Sequence, residues 1–262
     1  MQLRTNLAFI EPRDPTFHTG LELDYIMTLG LGFAPVFCCS GLTIQSEKGV
    51  EEIIPLNIQN FEAGIRKIAL SDKVQYCKIG ALCSVEQVNL LANTLSRKPK
   101  RKIIVDPVFA PTKGKAFLTE SALPEFLQLL NLVDFITPNL PELSLLTGKD
   151  TTDFETAIEV GKELSQKTGV TVLLTGGHGK TDNIQEAMIK KKEVTIFHFP
   201  RRKWKYTHGT GCVFSTFFTC SLALGKDPIE AFTEASNFVR ALFDAYNAKI
   251  YPQDQGIGVQ SS

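Results

Sequence analysis

The chain has 262 residues, of which 43% are hydrophobic and 21% are charged, and its 28 basic side chains equal its 28 acidic ones. This length allows one large α/β domain or two small ones, and the composition is that of an ordinary globular protein. The balanced charge excludes the strong basic field with which proteins attract nucleic acid or anionic membranes.

The sequence carries no sign of export or of membrane insertion. No apolar run reaches the length of a membrane span, and the first residues lack the apolar core of a signal peptide. The six cysteines form no CxxC pair, and no histidine stands at metal-ligand spacing beside them. We therefore expect free thiols in a cytoplasmic protein that binds neither nucleic acid nor membrane.

Short apolar runs alternate with helical patterns along the chain. Continuous apolar runs are typical of strands buried on both faces of a parallel sheet. The predicted strands are residues 7–10, 34–39, 74–79, 102–105, 133–136 and 170–174. The predicted helices are residues 58–70, 125–132 and 229–246, with two more that begin at the capping-box sequences Ser84–Gln87 and Thr152–Glu155.

This alternation predicts an α/β fold with a mostly parallel central sheet and helices on both faces, a three-layer sandwich. Residues 184–199 are the exception, because their alternating apolar pattern around a lysine-rich turn predicts an antiparallel hairpin. No linker, low-complexity stretch or internal repeat divides the chain, so we expect a single domain over residues 1–262.

In such sheets, ligands bind beyond the carboxyl ends of the strands. Polar residues follow three predicted strands at that edge, namely Asp106, then Asn139 with Glu142, then Thr175–Gly177. Each has a structural alternative, since Asp106 suits a turn before proline, Asn139 suits a helix start and the glycines suit an ordinary turn. Their shared edge favours a ligand site.

The stretch YTHGTGCVFSTFFTCSLALG places Gly209, Thr210 and Gly211 directly before an apolar helix, with Cys212 at the junction. A glycine-rich turn at a helix N-terminus offers unpaired N–H groups that suit phosphate. The same field lowers the pKa of a thiol, and we expect that of Cys212 to lie below the roughly 8.5 of a free cysteine. The residues alone leave open a phosphoryl-transfer site or a tight turn into a buried helix.

Four motifs stand in order along the chain, VDPVFAPTKGKAFL, ITPNLPELSLLTG, VLLTGGH and THGTGC, preceded by CKIGAL. From about residue 33 to the C-terminus the chain resembles the ribokinase-like superfamily, specifically its hydroxymethylpyrimidine/phosphomethylpyrimidine kinases of thiamin biosynthesis, with pyridoxal kinases as close relatives. The resemblance implies a cytoplasmic, ATP-dependent, Mg²⁺-requiring kinase of hydroxymethylpyrimidine or its monophosphate, and a homodimer.

The resemblance also assigns roles near the reacting phosphate. The amides of Gly209, Thr210 and Gly211 would stabilise the transferring γ-phosphate, and Cys212 would stand in the position of the catalytic base. The Mg²⁺ ligands would be the oxygen-bearing residues Asp106, Asn139 and Glu142, partly through water.

The remaining roles concern the two substrates. ATP binding is implied for Thr175, Gly177, Gly209 and Gly211. Substrate binding is implied for Gln45, Asp14, Gly20 and Asp24. Gln45, in LTIQSEKGV, matches the family's pyrimidine-binding glutamine, whose amide can both donate to and accept from a heterocycle.

Two departures from the family pattern bear on the substrate. In the first loop, two glycines and an alanine of the family have become Phe17, His18 and Thr19, and Thr175 stands where the thiamin-pathway enzymes have lysine. Larger side chains would reshape a pocket in which small residues let the backbone approach the substrate. The alternatives are a pyridoxine or pyridoxal kinase, or a regulatory relative that binds ligand without catalysis. The intact Gly-Thr-Gly-Cys and Asn-x-x-Glu motifs favour an enzyme.

Overall fold

The computed structural model describes residues 4, 6–46, 49–96, 101–111, 113–176 and 183–250. In these ranges the strands are β1 (Leu7–Arg13), β2 (Val36–Ser46), β3 (Gly49–Pro55), β4 (Tyr76–Ile79), β5 (Lys102–Val105), β6 (Phe135–Ile136), β7 (Thr171–Leu174), β8 (Asn183–Lys190) and β9 (Glu193–Pro200). The helices are α1 (Gly20–Gly30), α2 (Ile58–Leu70), α3 (Val85–Leu95), α4 (Leu123–Leu130), α5 (Leu140–Thr147), α6 (Phe154–Thr168), α7 (Thr210–Ala223) and α8 (Pro228–Ile250), with a short 3₁₀ helix at Glu120–Ala122.

The strands form one sheet in the order β3-β2-β1-β4-β5-β6-β7-β8-β9. The run from β2 to β7 is parallel throughout, which confirms the predicted α/β class. The predicted hairpin is present as β8 and β9. Two further antiparallel pairs were not predicted: β7 pairs with β8, and β2 runs on to Ser46 and pairs with β3 at one edge of the sheet.

Helices cover both faces of the sheet. Helices α2 to α6 pack on one face over Ile10, Ile79 and Val105, while α7 and α8 pack on the other face over Ile104 and Leu173. Strand residues alternate between these two cores because successive side chains point to opposite faces. The three-layer arrangement follows from that alternation.

Two helix starts differ in detail from the sequence expectation. At α3, Ser84 caps the Gln87 N–H at 3.4 Å, but the Gln87 side chain accepts from the Cys83 N–H at 2.9 Å rather than completing a box with Ser84. At α6 the cap is Asp153, not Thr152, and it accepts from the Thr156 N–H at 2.8 Å. Aspartate is at least as good a cap as threonine, so the helix begins one residue later.

None of the helices in the described ranges combines the length and the apolarity that crossing a membrane would require.

Candidate active site

Two cavities open at the carboxyl edge of the parallel strands. The smaller, of about 120 Å³, is lined by residues from β1, β2, the ends of β4 and β5, and the start of α7. The larger, of about 620 Å³, lies towards β7, β8 and α8. Ala110, Pro111 and Glu142 line both, so the two cavities are neighbours that share a wall.

The first turn of α7 stands between the cavities. Gly209 and Cys212 line the smaller one, whereas Thr210 and Gly211 line the larger one. The hydrogen-bond ladder of α7 begins with the Val213 N–H, which donates to the Gly209 carbonyl at 2.9 Å. The amides of Gly211 and Cys212 precede that ladder, in the position where helices bind anions.

Glycine is required at position 209 by close packing. Its φ is +90°, and a Cβ there would lie 2.4 Å from the His18 carbonyl oxygen. The first loop therefore rests directly on the turn that begins α7. Of the substituted loop residues, Phe17 is exposed with a φ of 63°, and the His18 ring lies 5.6 Å from that of Tyr206.

Asn139 and Glu142 meet at the start of α5 in a capping box. The Asn139 Oδ1 accepts from the Glu142 N–H at 2.9 Å, and the Glu142 Oε2 accepts from the Asn139 N–H at 2.9 Å. Burial, with the charge of Asp106 as the next cause, raises the pKa of Glu142 to about 8. This carboxyl lies on the wall between the two cavities, where a bound cation would lower its pKa.

Asp106 lies behind the cavities rather than in their linings. It is buried, and its carboxylate accepts from the Ser215 hydroxyl at 2.8 Å and from the Thr137 hydroxyl at 3.4 Å. Burial raises the pKa of Asp106, against the opposing effect of Lys78. Among the described residues, no set of three or more histidine, cysteine or acidic side chains forms a metal centre by itself.

The residues implied in ATP binding lie along the larger cavity where they are described. Thr175 lines it, and the Thr175 N–H donates to the Pro138 carbonyl at 3.0 Å beside Asn139. Gly177 lies outside the described residues. At the far end of the cavity, the Arg240 guanidinium lies 3.9 Å over the Phe199 ring and donates to Glu186 Oε1 at 3.0 Å.

Asp14, Gly20 and Gln45 line the smaller cavity. The Asp14 carboxylate accepts from the backbone N–H groups of Thr16 and Thr19 at 2.8 and 2.9 Å, so it shapes the first loop. The Gln45 Nε2 donates to the Thr43 hydroxyl at 3.0 Å, which leaves the Gln45 carbonyl oxygen to accept a hydrogen bond.

Asp24, expected in the substrate site, lies elsewhere. It is fully buried, lines neither cavity, and accepts from Lys78 Nζ at 3.0 and 3.1 Å and from the Thr216 hydroxyl. The aspartate pairs with a buried lysine behind the cavity. Its role is therefore in the support of the site.

Sequence reasoning missed Lys78 and Glu11. Lys78 is fully buried in β4, and its Nζ donates to Glu11, Asp24 and Thr216, each at 3.0 Å. One signal was available: both charges fall in or directly after apolar runs predicted to be buried strands. A charge in such a run needs a partner inside the protein.

The expectation for the Cys212 thiol was wrong in direction. Its pKa is raised well above the ordinary value, chiefly by burial. Lys78 lowers it, but Asp106, Glu11 and Asp24 all raise it. Burial and these three acidic groups together outweigh the lowering effect of Lys78.

Sequence comparison with known proteins identifies one family of kinases. A family model described as phosphomethylpyrimidine kinase matches residues 14–256. The hydroxymethylpyrimidine/phosphomethylpyrimidine kinase of Haemophilus influenzae is 31% identical over 207 residues, 77% of each chain, and that of Aquifex aeolicus is 29% identical over 79% of this chain and 82% of its own.

Solved structures share the fold. A phosphomethylpyrimidine kinase from Clostridium difficile superposes with a TM-score of 0.78 at 24% identity, over 90% of this chain and 98% of its own. A Bacillus subtilis pyridoxal kinase, in complex with ADP, superposes with a TM-score of 0.80 at 24% identity, over 89% of this chain and 90% of its own.

Proposed function

The chain belongs to the phosphomethylpyrimidine kinase family, and we propose from that premise that it transfers a phosphoryl group from ATP to hydroxymethylpyrimidine, to its monophosphate, or to both. It acts as one kinase domain, on a small-molecule pyrimidine of thiamin synthesis.

The observation that carries the proposal is the first turn of α7 between two cavities of unequal size. The larger cavity has room for a nucleotide and the smaller for a single ring. Consecutive residues of one turn face both cavities, so a γ-phosphate held by the Gly211 amide is presented to a hydroxyl beside Cys212. The ADP bound to the Bacillus subtilis structure supports ATP as donor.

Within this arrangement each group has a defined task. The amides of the turn bind phosphate oxygens and stabilise the charge that develops on them. Cys212 accepts the proton of the substrate hydroxyl. Cys212 can accept that proton only as a thiolate. Because the pKa of the thiol is raised, basic conditions favour the thiolate.

Mg²⁺ fits the residues beside the shared wall. Glu142 and Asn139 offer oxygen atoms, the donors that this ion prefers, and Asp106 adds charge behind them. Burial and then the acidic neighbour Asp106 raise the pKa of Glu142, and a cation bound beside it would lower that pKa again. Bound Mg²⁺ would neutralise charge on the phosphates.

Glu142→Gln tests the metal role. Glutamine keeps the capping box, so folding should survive while the Mg²⁺ needed for half-maximal turnover rises about tenfold or more. Glu125→Gln is the matched control on α4, away from both cavities. An unchanged Mg²⁺ dependence in Glu142→Gln would remove Glu142 from the metal site.

The function itself is tested by ADP release with a panel of substrates. Wild-type protein is given ATP, Mg²⁺ and, in turn, hydroxymethylpyrimidine, its monophosphate, pyridoxine and pyridoxal. Turnover confined to the pyrimidines supports the proposal. Preference for the pyridine substrates would replace it with a pyridoxal kinase, and binding without turnover would replace it with a regulatory protein.

We further propose a cytoplasmic homodimer. All six cysteines are free, as a reducing compartment requires. Leu42, Ile44 and Ile54 lie exposed on one face of the β2–β3 pair, where Leu42 and Ile54 are directly opposite. Ile44→Lys with Ile54→Lys should yield monomers by light scattering if this face joins two copies.

A further inference from the structure

The smaller cavity contains a carboxyl group that no sequence motif indicated. Glu11 lies near the end of β1, on the same face as Leu7 and Phe9, where alternation turns its side chain towards α1 and α7. Only 2% of its surface is exposed, and it lines the cavity with Gln45 and Cys212. A carboxyl that is buried here needs hydrogen-bonding or charged partners.

The surroundings of Glu11 hold more acid than base. Lys78 Nζ donates to Glu11 Oε1 at 3.0 Å and to both oxygens of Asp24. Asp24 also accepts from the Thr216 hydroxyl, so it receives the larger share of the hydrogen bonds. One lysine balances one carboxylate. Burial and the neighbouring Asp24 raise the pKa of Glu11 well above its ordinary value, which favours its neutral form.

A neutral carboxyl has one O–H to donate and one oxygen to accept. Space for this group is kept by Gly80, since a Cβ at that position would lie 2.7 Å from Glu11 Oε2. The next residue, Ala81, lines the cavity. Small residues after β4 therefore leave room for the Glu11 carboxyl beside the cavity.

We propose that Glu11 is a specificity-determining residue that binds the amidine edge of an aminopyrimidine, meaning a ring nitrogen and the amino group beside it. This inference rests on the proposed function. The carboxyl O–H donates to the ring nitrogen while its other oxygen accepts from the amino group. The same pair of hydrogen bonds forms between a carboxylate and a protonated ring, so the fit does not depend on which partner holds the proton.

The rest of the cavity suits this orientation of the ring. Gln45 has a free carbonyl oxygen for a further donor, and Gly209 with Cys212 lies where the hydroxymethyl group must meet the phosphate. A pyridine without an amino group has no amidine edge to offer. Glu11 would then make the enzyme select aminopyrimidines over vitamin B6 compounds. The altered residues of the first loop do not indicate which of these two classes is bound.

The test compares hydroxymethylpyrimidine with its analogue in which hydrogen replaces the amino group. For wild type, we expect kcat/KM to be about 10- to 100-fold higher with the amino group. Glu11→Met, which keeps the length but no hydrogen-bonding group, should bring this ratio close to one. Glu11→Gln should keep most of it, because an amide still has a donor and an acceptor.

Gly80→Ala is the second variant. It retains Glu11 but crowds its carboxyl, so the ratio should fall while the KM for ATP stays unchanged. In Glu11→Met, Lys78 keeps Asp24 as a partner of equal charge, and thermal unfolding checks that the protein folds.

The outcomes separate the two claims. A wild-type ratio near one, or equal losses on both pyrimidines in Glu11→Met and Gly80→Ala, would overturn the role of Glu11 and leave the kinase proposal standing. A wild type that phosphorylates neither pyrimidine would overturn the proposed function and this inference together.

Discussion

Each cavity lies over a buried ion pair, and the two pairs are composed differently. Beside the larger cavity, Arg240 meets one carboxylate, Glu186, whose other oxygen accepts from the Ser236 hydroxyl at 2.6 Å. Beside the smaller cavity, Lys78 meets two carboxyls, Glu11 and Asp24. One pair is balanced in charge and the other has an excess of acid.

The two groups differ in their relation to the reaction: the Arg240 pair supports a cavity wall, whereas the Lys78 group lies beside the residues that would react. The balanced pair, stacked on Phe199, supports the wall of the larger cavity, and burial raises the pKa of its Glu186 against the opposing effect of Arg240. Around Lys78, burial raises the pKa of Glu11, Asp106 and Cys212, and acidic neighbours raise each of them further. Proton-holding groups are thus gathered where a substrate hydroxyl would react. Single substitutions at these residues test this division.

The largest expected change follows the loss of the thiol. Cys212→Ser keeps the size but supplies a group that stays protonated, so turnover should fall by about 10²- to 10⁴-fold. Nucleotide affinity should survive because the turn's amides remain, and Cys212→Asp should retain appreciable activity. Wild-type turnover in the serine variant would mean that the thiol is only a small residue in a tight turn.

The pH dependence of turnover tests the same thiol. The charged groups acting on it are Lys78, which lowers its pKa, and Asp106, Glu11 and Asp24, which raise it. With a pKa well above 9.0, the thiolate fraction grows about tenfold per pH unit across the neutral range. Turnover of wild type should rise towards alkaline pH, and Cys212→Asp should lose that rise. A flat wild-type profile would contradict proton transfer to Cys212.

Stability should respond unequally to loss of the two cations. Lys78→Met leaves two buried carboxyls without a cation and should lower the free energy of unfolding by about 3–5 kcal/mol. Arg240→Met should cost less, about 1–3 kcal/mol, because Glu186 keeps Ser236 and borders a cavity. Urea unfolding measures both, and equal losses would refute the contrast drawn between the pairs.

A smaller effect should distinguish the cavities kinetically. Gln45→Leu leaves a polar edge of the ring unpaired, which costs roughly 1–3 kcal/mol. The loss should appear in the KM for the pyrimidine and spare the KM for ATP. Steady-state kinetics with each substrate varied in turn gives the answer, and an equal rise in both values would indicate general damage.

The smallest effect concerns the shared wall. The pKa of Glu142 is about 8 in the folded protein against an ordinary 4.5, so the folded state keeps a proton that the unfolded state releases. Stability therefore falls as pH rises between these values. In Mg²⁺-free buffer, Glu142→Gln should raise Tm by several degrees at pH 8, and by less at pH 4.5. A variant that loses stability most at pH 8 would show the opposite sign.

Local signals were enough for much of the fold. The predicted bounds of α2 and β5 match Ile58–Leu70 and Lys102–Val105, because one has a clear apolar face and the other a continuous apolar run. The strand β3 escaped notice because Gly49–Pro55 lies at the sheet edge and carries two glutamates. Edge strands need no apolar pattern on their exposed sides.

The same limit applies to the site. Asn139, Glu142 and Thr175 could be placed because they come shortly after β6 or β7, and the ends of parallel strands meet at one edge. Glu11, Asp24 and Lys78 could not be joined by that reasoning, since they lie on three elements and meet in the interior. The direction of the Cys212 pKa depends on the sum of these neighbours, which no local pattern contains.

The contact between Asp24 and Thr216 has a consequence for how the protein is made. Lys78 and Asp24 are 54 residues apart, but Thr216 follows Asp24 by 192 residues. At about 5–20 residues per second, a ribosome needs on the order of ten seconds or more to supply the helix that covers this charged cluster. Until α7 is synthesised, Asp24 lacks its hydrogen bond from Thr216. Polypeptides that end before α7 would lack the first turn of this helix. We therefore expect them to be inactive and open to proteolysis.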